Sequence, residues 1–138
     1  MARESSRPQE QKVNLHRGDV YLVSFDPSKK TRPALVIQND IGNRYSSLTI
    51  LAAITSKISM VVHPVEVIIQ PSRGNGLEVL SAMRLDQVRT VDKLRLIKRL
   101  GSAGHSTMLK VEEAIRISLG LIIIQAQVCI ILPLLSAK

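Results

Sequence analysis

Arg32 and Thr55 stand at the two ends of TRPALVIQNDIGNRYSSLTILAAITS (31–56), a stretch that reads as two apolar strands joined by a polar loop. Adjacent antiparallel strands set the start of one beside the end of the next. Arg32 at the entrance of the first strand and Thr55 with Ser56 at the exit of the second therefore converge on one sheet edge. A guanidinium stays charged and can hold two oxygens at once. Beside a hydroxyl, it suits a phosphodiester. Taken alone, each residue has a plain alternative. Arg32 reads as a surface ion pair, of a kind that is common and energetically minor, and Thr55 as an ordinary strand end.

The elements that must position this pair follow from pattern. Asp19–Phe25 and Pro33–Asn39 read as the first two strands, with Pro27-Ser28 opening the turn between them. Leu48–Ile54 reads as a buried strand, and β-branched 61–69 as extended, with Pro64 fitting an edge or a bulge. SRGNG at 72–76 is a turn. It is too short for a phosphate-binding loop and leads into no helix. Glu78 to Arg89 reads as one or two strands. Asp92–Lys98 predicts a short helix whose basic residues sit toward its C-terminal end. Gly101–Gly104 breaks the chain, and Ser106 is placed to cap a helix running to about Leu119. Met108, Val111, Ala114, Ile115, Ser118 and Leu119 share a face of that helix, and Gly120 falls where a C-cap glycine belongs. Many short strands and one late helix predict a mainly β domain with a small, strongly bent sheet or barrel.

Composition bounds the rest. At 138 residues the chain is sized for one domain, and 45% hydrophobic with 22% charged residues is ordinary for a globular protein. The core must be aliphatic, because Trp is absent and Tyr21, Phe25 and Tyr45 are the aromatic residues. A net charge of +8 favours a polyanionic partner without saying which. The single cysteine, Cys129, excludes an intrachain disulfide and fits a reducing cytoplasm. His16, His63 and His105 lack the paired spacing of a metal site, so no metal or cofactor is expected. The polar stretch 1–16 predicts a disordered arm ahead of a folded unit at 17–120. The segment 121–138 is intensely apolar. Gln125, Gln127 and Pro133 interrupt it well short of the ~20 residues that span a bilayer, so packing on the domain or at an oligomer interface is favoured over membrane anchoring.

RGDVYLV (17–23), TRPALVIQNDIGNRYS (31–46), AAITS (52–56) and LDQVRTVDKLRL (85–96), in that order and spacing, resemble the MazF/PemK family of toxin endoribonucleases. The resemblance spans about Arg17 to Leu121. It implies an SH3-like barrel of the MazF/CcdB type, usually homodimeric, that cleaves single-stranded RNA at selected sequences without a metal. In that chemistry the 2′-hydroxyl attacks the adjacent phosphate and expels the 5′-oxygen. The resemblance assigns the catalytic roles to Arg32, as electrostatic stabiliser, and to Thr55, with Ser56 in support. It places Asn39, Asn43, Lys57, Pro64, Ser81, Arg84 and Gln87 on the RNA-facing surface. With so few aromatics, loops, amides and hydrogen bonds would read the RNA rather than an extended stacking platform. Asn43 also reads as a turn terminator, Arg84 as the partner of a neighbouring carboxylate, and Arg89, Asp92 and Lys93 as structural. The implied partner is a cognate antitoxin with an acidic tail, which the +8 charge would steer.

Two features depart from the family pattern. The connection DPSKKTRP (26–33) is shorter than usual and lacks a Gly-x-Glu-like element, with Lys29 and Lys30 supplying charge in its place. The apolar segment after Leu121 lies outside the resemblance. The short connection keeps a rival open: a non-catalytic toxin-fold protein that binds antitoxin or nucleic acid, or a gyrase poison of the CcdB type.

Overall fold

The computed structural model describes residues 14–121. The chain runs β1 (Asp19–Val23), β2 (Arg32–Val36), α1 (Asp40–Tyr45), β3 (Leu48–Thr55), β4 (Glu66–Ile69), β5 (Ser81–Asp92), a three-residue 3-10 turn (Lys93–Arg95), β6 (Leu96–Ser102) and α2 (His105–Leu119). The strands form one antiparallel sheet in the order β4-β5-β3-β2-β1-β6. A mainly β domain with a late helix is therefore what the chain builds.

Alternation along the strands sends side chains to two faces, and each face carries its own core. Val20, Leu35, Ala52, Ile54, Met83 and Leu85 pack against Met108, Val111 and Ala114 of α2. Truncating a fully buried leucine such as Leu35 in such a core typically costs about 2–5 kcal/mol. The opposite face holds a smaller cluster of Leu15, Tyr21, Val23, Ala34, Val36 and Leu51, with Phe25, Val91 and Leu96 packed against it. Leu15 is only 4% exposed, so residues 14–16 belong to the fold and not to the expected arm. The rest of that arm (1–13), and 122–138, lie outside the described residues.

The sheet does not close into a barrel. Among the described residues no ladder joins β4 to β6. Instead the 72–77 turn that follows β4 lies against β6, and Ser102 N–H donates to the Gly74 carbonyl at 2.8 Å. A Cβ at Gly76 would collide with the Leu100 carbonyl, and one at Gly101 with the Gly74 carbonyl. Gly76 also holds φ at +70°, which side chains rarely adopt. Asn75 is buried and pins the turn. Its Oδ1 accepts from the Ser72 and Leu77 amides, and its Nδ2 donates to the Gln70 carbonyl. The RGNG motif thus serves close backbone approach.

Four expectations need correction. The polar loop after β2 contains helix α1, capped by Asn39, whose side chain accepts from Gly42 N–H at 2.8 Å. Its apolar residues, Ile41 and Tyr45, face solvent, so no apolar periodicity announces it. The helix expected at Asp92–Lys98 is a single 3-10 turn capped by Asp92, after which the chain enters edge strand β6. Lys98 and Arg99 are exposed there, Arg99 reaching Asp19 at 3.3 Å, and charge on an edge discourages further pairing. The extended stretch 61–69 is a strand only over Glu66–Ile69. Helix α2 starts at His105 with Gly104 as N-cap, not at Ser106, and Leu119 on its expected buried face is exposed. Its end matches: Gly120 takes the left-handed conformation, and Leu121 N–H bonds the Arg116 carbonyl.

Candidate active site

β2 and β3 pair through Ala34 with Ala53, Leu35 with Ala52 and Val36 with Leu51. Two residues further along the same register, Arg32 comes opposite Thr55. Paired residues share a face of the sheet. Arg32 and Thr55 therefore stand at the rim of the face that carries the smaller core, where Arg32 also pairs with Val23 of β1 and Thr55 with Ala82 of β5. The register thus sets Arg32 and Thr55 at neighbouring strand ends.

The two side chains differ in how they are held. Arg32 is exposed and takes part in none of the ion pairs among the described residues. Its charge is directed at solvent beside the strand end. Thr55 is half-buried, and its Oγ1 accepts the Lys57 amide at 3.1 Å. That bond fixes the hydroxyl oxygen and leaves its proton to donate outward. Ser56 and Lys57 follow, both exposed, at the exit of β3. Lys29 and Lys30, also exposed, lie in the short connection that enters β2.

The other residues singled out from the sequence separate into two groups. Ser56, Lys57, Pro64 and Gln87 are exposed. Gln87 lies in a bulge of β5, where pairing with β3 jumps from Ala53–Arg84 to Ala52–Val88. Bulges re-aim side chains at the margin of a sheet. Pro64 sits just before β4, on the side facing α2. Asn39 is exposed, but its side chain is occupied as the cap of α1.

Asn43, Ser81 and Arg84 are built into the fold. Asn43 is 2% exposed. Its Oδ1 accepts from Thr49 Oγ1 at 2.9 Å and from Gln38 Nε2 at 3.2 Å, and its Nδ2 donates to the Gln38 carbonyl at 2.9 Å. Lys93 Nζ donates to the Asn43 carbonyl. Ser81 is buried and its hydroxyl donates to the Val79 carbonyl. Arg84 holds Asp86 with two hydrogen bonds at 3.0 and 2.8 Å and reaches the buried Glu66 at 3.3 Å. The Arg84 guanidinium keeps the Asp86 carboxyl below the usual carboxylate range. Asn43 and Ser81 have their side-chain polar atoms bonded inside the protein, whereas Arg84 is engaged by Asp86 and Glu66 in a partly exposed cluster, the arrangement that the structural alternative for each describes.

One contact on the same face was read from sequence as structural only. The Arg89 guanidinium lies over the Phe25 ring, 5.1 Å from its centroid, and Phe25 packs on the cluster that also contains Val23 and Ala34. The sign available in the sequence was an aromatic just beyond the end of β1 in a chain nearly devoid of them. Among the described residues, no group of three His, Cys, Asp or Glu side chains is disposed to hold a metal ion.

Comparison with known proteins bears on what this rim does. Residues 16–119 match the family described as PemK-like, MazF-like toxin of type II toxin–antitoxin system. The endoribonuclease EndoA of Bacillus subtilis (strain 168) is 45% identical over 113 residues, covering 78% of this chain and 97% of that protein. The endoribonuclease MazF of Staphylococcus epidermidis is 41% identical over 112 residues, covering 78% of this chain and 92% of that protein. Among solved structures, a mycobacterial endoribonuclease in complex with its cognate antitoxin superposes with a TM-score of 0.68 at 26% identity, over 79% of this chain and 98% of that one.

Proposed function

Since the chain belongs to the PemK-like, MazF-like toxins of type II toxin–antitoxin systems, we propose that it is an endoribonuclease toxin that cleaves single-stranded RNA, mRNA included, at selected sequences without a metal. The observation that carries this reading is the placement of Arg32 opposite Thr55 at an open rim, with the guanidinium free of any carboxylate among the described residues.

In the proposed reaction the 2′-oxygen attacks the adjacent phosphorus and the bond from phosphorus to the 5′-oxygen breaks. The proton lost from the 2′-hydroxyl is balanced by one gained at the departing 5′-oxygen. The products are a cyclic phosphate and a 5′-hydroxyl. Negative charge grows on the non-bridging oxygens, and Arg32 holds them in its planar fork. The Thr55 hydroxyl, its oxygen already anchored by the Lys57 amide, donates a second hydrogen bond from a fixed position. Arg32 is also the group nearest the reaction that can shuttle a proton. Ser56, Lys57, Lys29, Lys30 and Gln87 contact the strand on either side, and the Phe25–Arg89 pair offers one flat surface. Recognition rests on these groups and on loop backbone. The toxin works as a homodimer in the cytoplasm and is held in check by an antitoxin whose acidic tail competes for the same basic surface, as its charge requires.

Purified protein incubated with long RNA in EDTA should cut at a recurring short sequence, and Arg32→Ala should abolish the cuts. The short connection between β1 and β2 favours a second reading, a binder that has lost turnover. Intact RNA under those conditions, with RNA or antitoxin still bound, would establish it. Intact RNA with inhibited gyrase would point to a poison of the CcdB type.

A further inference from the structure

Where β3 steps from Ala52 to Ala53, its partner β5 passes from Val88 back to Arg84, so Leu85, Asp86 and Gln87 have no place in that ladder. Leu85 is fully buried, and its amide donates to the Val65 carbonyl at 2.9 Å, which ties down the start of the bulge. Asp86 and Gln87 are both exposed. Arg84 holds them from below. Its Nε and Nη2 donate to the two oxygens of Asp86 at 3.0 and 2.8 Å, the planar fork that a guanidinium makes with a carboxylate. Nε also lies 3.3 Å from Glu66, its register partner on β4, whose side chain is only 3% exposed. This clamp stands beside the rim described above. Arg84 is in register with Ala53, two residues before Thr55 on β3, so it shares the Thr55 face about ~4.8 Å across and ~7 Å along the sheet. The positions between them on that face are Ala34, Ala53 and Ala82, which interpose nothing larger than a methyl group.

We propose that Arg84 is a positioning residue: by clamping Asp86 to Glu66 it locks the β5 bulge and sets Gln87 against the RNA strand that passes the Arg32–Thr55 rim. The inference rests on the nuclease reading and adds to it a residue that acts without touching RNA. Charge argues against a direct phosphate contact by Arg84. Its guanidinium lies between two carboxylates, so the cluster as a whole is negative and repels a phosphate. Geometry argues for positioning. A glutamine amide offers both a donor and an acceptor, and reads an unpaired base by matching them to its edge. That match discriminates only if the backbone beneath the glutamine is fixed. The bulge removes the ladder that would fix it, and the fork from Arg84 to Asp86, the residue just before Gln87, supplies the restraint instead. Bulges are used in this way to aim side chains beside active sites.

The test uses the full-length chain and a single-stranded RNA oligonucleotide containing a site that it cuts. Arg84→Lys and Asp86→Ala both keep a cation beside the buried Glu66, so the fold is spared, and both remove the fork. Each should raise KM about tenfold with kcat near the parent value, the mark of lost binding rather than lost chemistry. Arg84→Lys leaves the net charge as it was and Asp86→Ala makes the protein more basic, so a shared loss reports geometry and not charge. Gln87→Ala should raise KM by a similar factor, and adding either clamp variant to it should raise KM no further. Amide exchange at 86–88 should quicken in both clamp variants, while the rest of the sheet keeps the parent's rates. Tighter RNA binding by Asp86→Ala overturns the proposal in favour of a charge effect. Losses that add in full to that of Gln87→Ala overturn it in favour of direct contact, and an unchanged KM in both clamp variants removes it. A parent that binds RNA but leaves it intact sinks the nuclease reading alone, and the same cycle is then read in RNA affinity with the same outcomes. A parent that neither cuts nor binds RNA overturns both.

Discussion

Two polar clusters flank the β2–β3 unit, and they are built on opposite plans. At one end, Gln38, Asn43 and Thr49 form a buried network in which the Asn43 side-chain donors and acceptor are all bonded. Arg17 extends that network: its amide donates to Asp40 at 2.7 Å, its Nε to the Ile37 carbonyl, and its Nη1 to Glu112 of α2. At the other end, Arg32 is exposed with its charge uncommitted, and Thr55 keeps a free proton on an anchored oxygen. The family resemblance offered Asn43 of the first cluster and Arg32 and Thr55 of the second as residues that meet RNA. Satisfaction separates them: a buried amide with every partner inside the protein specifies the fold, whereas a positioned donor with none is available to a ligand.

The contrast can be broken by substitution at either end. The largest effect is expected from Arg32→Ala, with cleavage falling by about two to three orders of magnitude or more. Its melting temperature should stay within experimental scatter of the parent. Parallel RNA cleavage and thermal unfolding would check both halves. Asn43→Ala should do the reverse. It strips the Thr49 hydroxyl and the Gln38 amide of partners, so unfolding in urea should show a loss of about 1–3 kcal/mol, while cleavage per folded molecule is unchanged. A large catalytic loss in Asn43→Ala without destabilisation would sink the division drawn above. Ser81→Ala should cost about 1 kcal/mol and leave cleavage intact, whereas an RNA-facing serine would lose affinity. Lys29→Ala and Lys30→Ala should each flatten the dependence of log affinity on log salt by ~0.7 for single-stranded RNA, with little change in rate at saturation.

A smaller effect is expected with pH. The Arg17 amide holds the Asp40 carboxyl below its ordinary value of 3.8, and Arg84 does the same for Asp86. A depressed folded-state pKa contributes stability that is complete above the ordinary value and is lost as pH falls through the lower, folded one. The acid limb of the stability profile should therefore begin near pH 4, and Asp40→Asn should make it shallower. An unchanged limb in Asp40→Asn would show that the carboxylate is not coupled to folding. Both carboxylates are near the surface, so the change is modest and salt-sensitive.

The legible parts of the chain were those governed by local rules. Gly120 was placed as the C-cap because a left-handed residue is needed there, and the alternation of Asp19–Val23 and the apolar run of Leu48–Thr55 gave their strands. The unread parts were decided by partners distant in sequence. Helix α1 is six residues long and is fixed by its Asn39 cap and the buried Asn43, so periodicity had nothing to register. β6 is short of apolar residues because it lies at an edge, and its strand state comes from pairing with β1, some 80 positions away. The role of Arg84 was ambiguous for the same reason, since Glu66 is brought to it by folding.

By itself the sequence determined a mainly β unit with a late helix, a basic surface, and the meeting of Arg32 with Thr55, because strand order and antiparallel pairing follow from apolar runs and the turns between them. Tertiary structure alone decided which polar side chains remain free. Burial and hydrogen bonding are properties of the neighbours a residue acquires, and the packing of the Gly74–Gly76 turn against β6 depends on two backbones approaching where no side chain fits.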